Sequence, residues 1–316
     1  SSQIAEVSTQ LLCQQLARGE VGGVLFLRHN MASVEQVRDL TQYFARCGAR
    51  FAPALALDQE GGRVDRLGGL PGEQRWPSAA DVGAGSPTLA AQIYAAMAER
   101  VAALGFTVNF GPVADLNTNP SSPVIGALDR SYTDDRRHIL AYLEAFIQTH
   151  EVAGLATALK HFPGHGSAQT DSHAGFTDIT QTWSDVELGG VDLASEYAHT
   201  AVMVGHLVHR QFSDHPATLS HAFVQTLLRE QLGFDGAVVS DDMAMRAITD
   251  TYDLDLSVSL ALRAGIDLFV HSNSGPYQST FVDQYHTAVR HALASGTLTQ
   301  ADLRAKAARL EVWKEH

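Results

Sequence analysis

The residues best suited to chemistry are concentrated in one segment, KHFPGHGSAQTDSH, at positions 160–173. Its fourteen positions hold three histidines, a lysine and an aspartate. One proline and two glycines interrupt any regular helix or strand, so we expect a loop that presents polar groups. Asp171 precedes His173 by two residues, and its carboxylate could hydrogen-bond the imidazole and fix the tautomer. The pair could donate and accept a proton.

Other polar groups follow apolar runs of the kind typical of strands buried on both faces of a parallel sheet. If the chain forms a barrel, the C-terminal ends of all its strands point to one face, and these groups should converge on one pocket. The strand-end groups are Asp58 with Glu60, Arg63 and Arg66, then Asp115, Arg130, Lys160 with His161, Asp171 and His173, then His206, and Asp241 with Asp242.

Strand-like and helix-like segments alternate along the whole chain. Strands are predicted at 21–28, 51–58, 106–115, 154–161, 201–206, 236–241 and 265–273, with helices between them and two more at the end. This alternation predicts a TIM-type (β/α)8 barrel forming a single domain over 1–316. The count is one strand short. Our hypothesis is that the missing strand precedes Ser1; the alternative is that IAEVS, at 4–8, is a distorted first strand.

Composition excludes some classes of function. The 316 residues are 45% hydrophobic and carry a net charge of −13, which disfavours a nucleic-acid partner. No apolar run is long enough to span a membrane, and no signal peptide is visible at the N-terminus. We therefore expect a cytoplasmic protein, or an exported one if a segment was removed before Ser1. Two cysteines, Cys13 and Cys47, are too few for a disulfide framework and are predicted to be reduced.

The polar groups allow two kinds of chemistry. Histidine and aspartate can bind a metal, as in metal-dependent hydrolases, but the three histidines of the loop are spread out and an early His-x-His pair is missing. The interpretation we prefer has no metal: Asp241 attacks as a nucleophile and His173 serves as acid and base. Carboxylates and cationic donors together suit a sugar with many hydroxyls.

Three motifs carry a resemblance to a known family. DQEGGRVDR at 58–66, KHFPGHG followed by DSH at 160–173, and SDDMAM at 240–245 resemble segments of glycoside hydrolase family 3, in particular its single-domain bacterial β-N-acetylglucosaminidases of cell-wall recycling. The resemblance implies a barrel without metal or organic cofactor. It implies that Asp241 is the nucleophile, that His173 is the acid/base with Asp171 as its partner, and that the sugar is bound by Asp58, Arg66, Arg130, Lys160 and His161.

The expected function is a retaining exo-β-N-acetylglucosaminidase, working as a monomer or weak homo-oligomer on peptidoglycan fragments (1,6-anhydro-muropeptides) or chitin-type oligosaccharides. Two alternatives stay open. One is a phosphorylase, because a histidine acid/base repels an incoming phosphate less than a carboxylate would. The other is a non-catalytic sugar-binding barrel.

Some residues have less definite predictions. His206 and Met245 are candidate pocket residues. For Glu60 we expect a structural ion pair with Arg63. The loop at 164–172 is expected to be mobile, because its small polar residues offer little to pack.

Overall fold

The computed structural model describes residues 6–274 and 278–315. Within them, seven strands form one parallel sheet in chain order, and the sheet curls into a nearly closed barrel, which confirms the predicted architecture. The strands are β1 (Gly23–Phe26), β2 (Ala54–Leu57), β3 (Val108–Asn109), β4 (Ala156–Phe162), β5 (Thr200–Val204), β6 (Val238–Asp242) and β7 (Leu268–Val270).

Helices precede and follow these strands as the sequence predicts. They are α1 (Val7–Arg18), α2 (Val34–Ala45), α3 (Pro87–Ala103), α4 (Arg136–Val152), α5 (Ala222–Gln231, which is wound as a π-helix), α6 (Leu254–Ala264), α7 (Phe281–Ala294) and α8 (Gln300–Lys314). The predicted helical stretch between β4 and β5 is broken into a short 3-10 turn, Asp185–Leu188, and a four-residue helix, Val191–Ala194.

Two predicted helix boundaries are set by the expected residues. Gly19 ends α1 in the left-handed conformation (φ 71°), which glycine adopts without a steric penalty. Ser33 caps α2, its side chain accepting a hydrogen bond from the Gln36 backbone N–H.

The hypotheses about the first strand are only partly answered. Val7 and Ser8 belong to the first turn of α1, so a strand reaching position 8 is wrong. Positions 4 and 5, and the stretch before Ser1, lie outside the described residues. The missing strand stays a prediction.

The strand predicted at 106–115 is much shorter than expected. Its regular strand ends at Asn109; beyond it, Gly111, Pro112 and Ala114 still form backbone hydrogen bonds with β4, and Val113 makes an isolated bridge to Lys160. Pro112 has no backbone N–H to donate to the ladder, which explains the interruption.

Alternate residues of the strands face two cores, an inner one at the barrel axis and an outer one between the strands and the helices. In β2, Ala54 and Ala56 face the barrel interior, whereas Leu55 and Leu57 pack against the helices. Alanines of several strands leave room at the barrel axis, and Trp313 of α8 fills it. Its side chain is fully buried, and its indole N–H donates to the Thr157 carbonyl at 2.8 Å. The C-terminal helix therefore belongs to the barrel core.

The cysteine prediction was wrong. Cys13 of α1 and Cys47, just after α2, form a disulfide with their Cα atoms 5.4 Å apart. The residues are 34 positions apart, and only the packing of the two helices brings them together. None of the helices among residues 6–274 and 278–315 is both long and apolar enough to cross a membrane.

Replacing Trp313 with alanine should lower the free energy of unfolding by about 3–5 kcal/mol, because it opens a cavity at the barrel axis. Urea denaturation would measure the change. Val312→Ala is the matched control, since Val312 is 56% exposed on the same helix and its truncation should cost little. Equal effects of the two substitutions would contradict the inner-core role of Trp313.

Candidate active site

A cleft of about 420 Å³ opens at the C-terminal ends of the strands. Apolar walls come from strand residues such as Leu25, Phe110 and Met203. The eight residues predicted as catalytic or sugar-binding all line it, although they come from positions almost two hundred residues apart. They are Asp58, Arg66, Arg130, Lys160, His161, Asp171, His173 and Asp241.

One wall carries a network of buried charges. Glu60 accepts two hydrogen bonds from the Arg130 guanidinium, both 2.8 Å long, and lies 2.6 Å from the Lys160 ammonium. Lys160 also donates to Asp58 at 2.9 Å. Burial alone would raise the pKa of Glu60, but Arg130 and Lys160 outweigh it and hold this pKa well below its usual range. The ion pair predicted between Glu60 and Arg63 was therefore wrong in its partner: Glu60 joins two cations of the cleft wall.

Two groups of this wall keep hydrogen-bonding capacity for a ligand. Arg66 lies 3.6 Å from Asp58, and its buried Nε atom has no hydrogen-bond partner. A buried donor without a partner is costly, and a ligand hydroxyl or carbonyl would satisfy it. Asp58 and Arg66 are therefore placed to bind a polar ligand together.

Asp241 lies near the end of β6, on the cleft. One of its oxygens accepts a hydrogen bond from the Asp242 backbone N–H at 2.7 Å. Burial opposes ionisation, but the nearby imidazoles of His161 and His206, together with that N–H and His173, lower the pKa of Asp241 to about 2. At neutral pH this carboxylate is ionised, as a nucleophile must be.

Asp171 and His173 form a pair on the same cleft. The Asp171 carboxylate is 2.9 Å from His173 Nδ1 and also accepts the His173 backbone N–H at 2.8 Å. Because a carboxylate only accepts, Nδ1 carries the proton and Nε2 is left for a ligand. The His173 side chain is 63% exposed, so water and substrate can reach it.

Sequence comparison identifies the family. The glycosyl hydrolase family 3 N terminal domain model matches residues 3–312. The chain belongs to glycosyl hydrolase family 3. It is accordingly an enzyme of the glycoside hydrolase class, and the barrel is the family's N-terminal domain. A beta-hexosaminidase of Stenotrophomonas maltophilia (strain R551-3) is 35% identical over 280 residues, which cover 84% of this chain and 81% of that protein.

Solved structures of family 3 proteins have the same fold. A β-N-acetylglucosaminidase from Paenibacillus sp. str. FPU-7 superposes with a TM-score of 0.88 at 29% identity, covering 98% of this chain. This chain spans 59% of that longer chain. A β-N-acetylhexosaminidase from Beutenbergia cavernae also has a TM-score of 0.88, at 26% identity, and the match covers 98% of this chain and 93% of the other.

The two candidate pocket residues of this family 3 chain do not line the cleft. His206 is fully buried between Thr218 Oγ1, at 2.8 Å, and the Asp242 carbonyl, at 3.0 Å. Met245 is 5% exposed and is not among the residues that line the cleft, whereas Met203 is. A strand-end position indicated that His206 was near the site, but its side-chain direction depends on tertiary packing.

Sequence reasoning gave no role to two buried carboxylates beneath the site. Asp115 lies 2.6 Å from His161 Nδ1 and accepts the His165 backbone N–H at 2.7 Å. Burial would raise its pKa, but the two histidines lower it. Glu187, 3% exposed, accepts the Ser167 backbone N–H at 3.1 Å. Asp115 was predicted to reach the pocket from its strand-end position, although without a role, whereas Glu187 lies in a helical-looking stretch without any signal.

These contacts correct the expectation that the whole loop packs poorly. Its first half, 164–168, is buried, while Gln169 and Thr170 are exposed. The three histidines of the segment have different partners: Asp115, Ser172 and Asp171. Within the described ranges, no group of three or more His, Cys, Asp or Glu side chains is arranged to hold a metal ion.

Glu187 should make stability depend on pH. Burial raises the pKa of Glu187 from 4.5 to about 7. Between these values the folded state keeps a proton that the unfolded state has lost, so stability falls as pH rises and the loss is complete above the folded-state pKa. Glu187→Gln lacks this titration. Relative to wild type, its free energy of unfolding should increase on the order of 2 kcal/mol from about pH 4.5 to about pH 8.

Urea unfolding across this pH range would measure the difference. Glu311→Gln, at an exposed position of α8, is the control and should follow the wild-type profile. Parallel profiles for wild type and Glu187→Gln would show that burial does not perturb this carboxyl.

Proposed function

We propose that the protein is a retaining exo-β-N-acetylglucosaminidase. The observation that carries the proposal is the pairing, on one cleft, of an ionised carboxylate, Asp241, with an accessible imidazole whose second nitrogen is held by Asp171. Such a pair supplies the nucleophile and the acid/base that retention requires. The relatives named beta-hexosaminidase and β-N-acetylglucosaminidase support this choice of sugar.

The reaction has two steps. In the first, Asp241 attacks the anomeric carbon while His173 donates its Nε2 proton to the departing glycosidic oxygen, which leaves a glycosyl ester on Asp241. In the second, neutral His173 removes a proton from water, the water oxygen attacks the anomeric carbon, and the Asp241 carboxylate is released. Each step returns the proton that the other uses, so no metal or organic cofactor takes part in this mechanism.

The remaining cleft residues would hold the sugar. Asp58 and Arg66 offer a carboxylate and a donor to adjacent hydroxyls, and Lys160, Arg130 and His161 extend the polar wall. The volume of about 420 Å³ is near the small end of the roughly 300–1,000 Å³ usual for ligand pockets, which suits one terminal sugar and thus an exo mode. The substrates we propose carry terminal β-linked N-acetylglucosamine: peptidoglycan fragments such as 1,6-anhydro-muropeptides, or chitin-type oligosaccharides.

The disulfide bears on where the protein works. Disulfides persist mainly in oxidising compartments, so the Cys13–Cys47 bond favours the exported alternative over the cytoplasmic prediction. If the protein is isolated from its native cells without reductant and then unfolded, Cys13 and Cys47 should not react with a thiol reagent. Two free thiols would favour the cytoplasm.

Hydrolysis of a chromogenic β-N-acetylglucosaminide would test the assignment. Asp241→Ala should abolish turnover, since the nucleophile is lost. His173→Ala should reduce turnover by about 10²- to 10⁴-fold, the usual contribution of an acid/base group. A chelator should leave the wild-type rate unchanged, and a loss of activity on chelation would favour a metal-dependent hydrolase.

The chain offers a matched control for His173. His291 also binds a carboxylate through Nδ1, that of Asp255 at 2.8 Å, and its side chain is 64% exposed on α7. His291→Ala should keep wild-type activity.

Substrate binding without turnover by the wild type would favour the sugar-binding barrel, and formation of sugar 1-phosphate in phosphate buffer would favour the phosphorylase.

A slow fluorinated N-acetylglucosaminide should trap the glycosyl intermediate. Mass spectrometry of the digested protein should place the added sugar on the peptide that contains Asp241, because the first step outpaces the second for such substrates. Asp241→Ala should remain unlabelled. A label elsewhere, or inversion at the anomeric carbon of the product, would contradict the two-step mechanism.

A further inference from the structure

The loop that carries the Asp171–His173 pair is firmly attached at its first half. Asp115 and Glu187 accept the backbone N–H groups of His165 and Ser167. Gly166 lies so close to the Leu116 backbone that a Cβ atom would be 1.7 Å from the Leu116 oxygen. The loop therefore starts from a fixed base on the barrel.

The second half, which carries the catalytic pair, has few attachments. The bonds of Asp171 to the backbone N–H groups of His173 and Ala174 lie within the turn itself. Thr170 contacts Thr177 at 3.2 Å. Such contacts hold the shape of the turn but leave its position relative to the buried half weakly determined.

One buried contact connects the two halves. His165 Nε2 lies 2.9 Å from Ser172 Oγ, and both side chains are about 1% exposed. Ser172 stands between Asp171 and His173 in the chain. Among the described residues, this is the one buried side-chain hydrogen bond that joins positions 171–173 to the fixed base.

The contact between His165 and Ser172 does not need a charged histidine. Burial and the neighbouring His161 lower the pKa of His165 to about 4, so the ring is neutral and carries one proton at neutral pH. A neutral imidazole has one donor and one acceptor nitrogen, and the Ser172 hydroxyl can donate or accept, so the two side chains form a hydrogen bond with either tautomer.

We propose that His165 is a positioning residue that sets the place of the acid/base pair through Ser172. This inference rests on the proposed function, in which His173 protonates the leaving oxygen. A displaced His173 would slow both steps, since His173 gives a proton in the first and takes one from water in the second, and would leave sugar binding by Asp58 and Arg66 largely intact. The expected signature is a loss in kcat, with KM changed little.

Two serines of the loop provide a matched pair of variants. Ser172 and Ser167 are both buried, but the Ser167 side chain lies by Glu187 in the fixed base, whereas the Ser172 side chain reaches from the turn to His165. Ser172→Ala should lower kcat by about 10- to 10²-fold, the range that a misplacement of order 1 Å can cause. Ser167→Ala should have little effect. Equal losses in both variants would overturn the proposal.

A series of aryl β-N-acetylglucosaminides with phenols of different acidity would separate positioning from general damage. A poor leaving group needs protonation, whereas an acidic phenol leaves without it. The loss of kcat/KM in Ser172→Ala, which reports the first step alone, should therefore grow as the phenol becomes less acidic. A loss of the same size for all leaving groups would indicate a structural effect only and would overturn the proposal.

Variants of His165 complete the test. Gln can place an N–H near the position of Nε2, so His165→Gln should retain much more activity than His165→Leu. His165→Leu combined with Ser172→Ala should lose no more than the worse single variant, because both break one interaction. Additive losses would contradict the coupling.

Hydrogen exchange keeps the positioning proposal distinct from the proposed function. The backbone amides of His173 and Ala174 should exchange faster in Ser172→Ala than in Ser167→Ala, whether or not the protein turns over substrate. Equal exchange would overturn the positioning role even in an active enzyme. An inactive wild type with the expected exchange difference would overturn the function alone.

Discussion

The buried charges of the cleft wall constrain the rest of the site. Glu60, Arg130 and Lys160 are all buried, and keeping such charges ionised away from water would be costly without the opposite charges beside them. Glu60 pairs with both Arg130 and Lys160, and Lys160 also pairs with Asp58. The network therefore holds Lys160 and Arg130 in place before any ligand arrives, and a bound sugar need not order them.

Buried charges also hold the loop at 160–173 in place. Buried carboxylates hold backbone and imidazole groups, whereas the groups proposed to react stand in the cleft. Asp115 holds His161 and the base of the loop, and Glu187 holds the backbone at Ser167. His173 is well exposed, as the proton donor proposed above must be to reach both the leaving oxygen and water. The fourteen residues at 160–173 thus combine a buried first half, held by hydrogen bonds, with an exposed His173.

The sequence predicted much of this architecture, for identifiable reasons. Apolar runs and helical periodicity gave the alternation of strands and helices, and Gly19 and Ser33 gave helix boundaries because their effect is local. Because all strands of a parallel barrel point the same way, the strand-end positions predicted that the eight cleft residues would lie at one face. The length of β3 was overestimated because the proline at 112 interrupts a pairing that apolar character alone suggests.

What the sequence determined by itself was which polar groups meet at the cleft and in which chain order, because strand direction places them at one face. The tertiary structure decided which of these residues pair with one another. Glu60 pairs with Arg130 and Lys160 rather than with its neighbour in the chain, His206 turns inward to Thr218, and Cys13 bonds Cys47. These choices depend on side-chain directions and on distances between residues far apart in the chain, and a linear pattern carries neither.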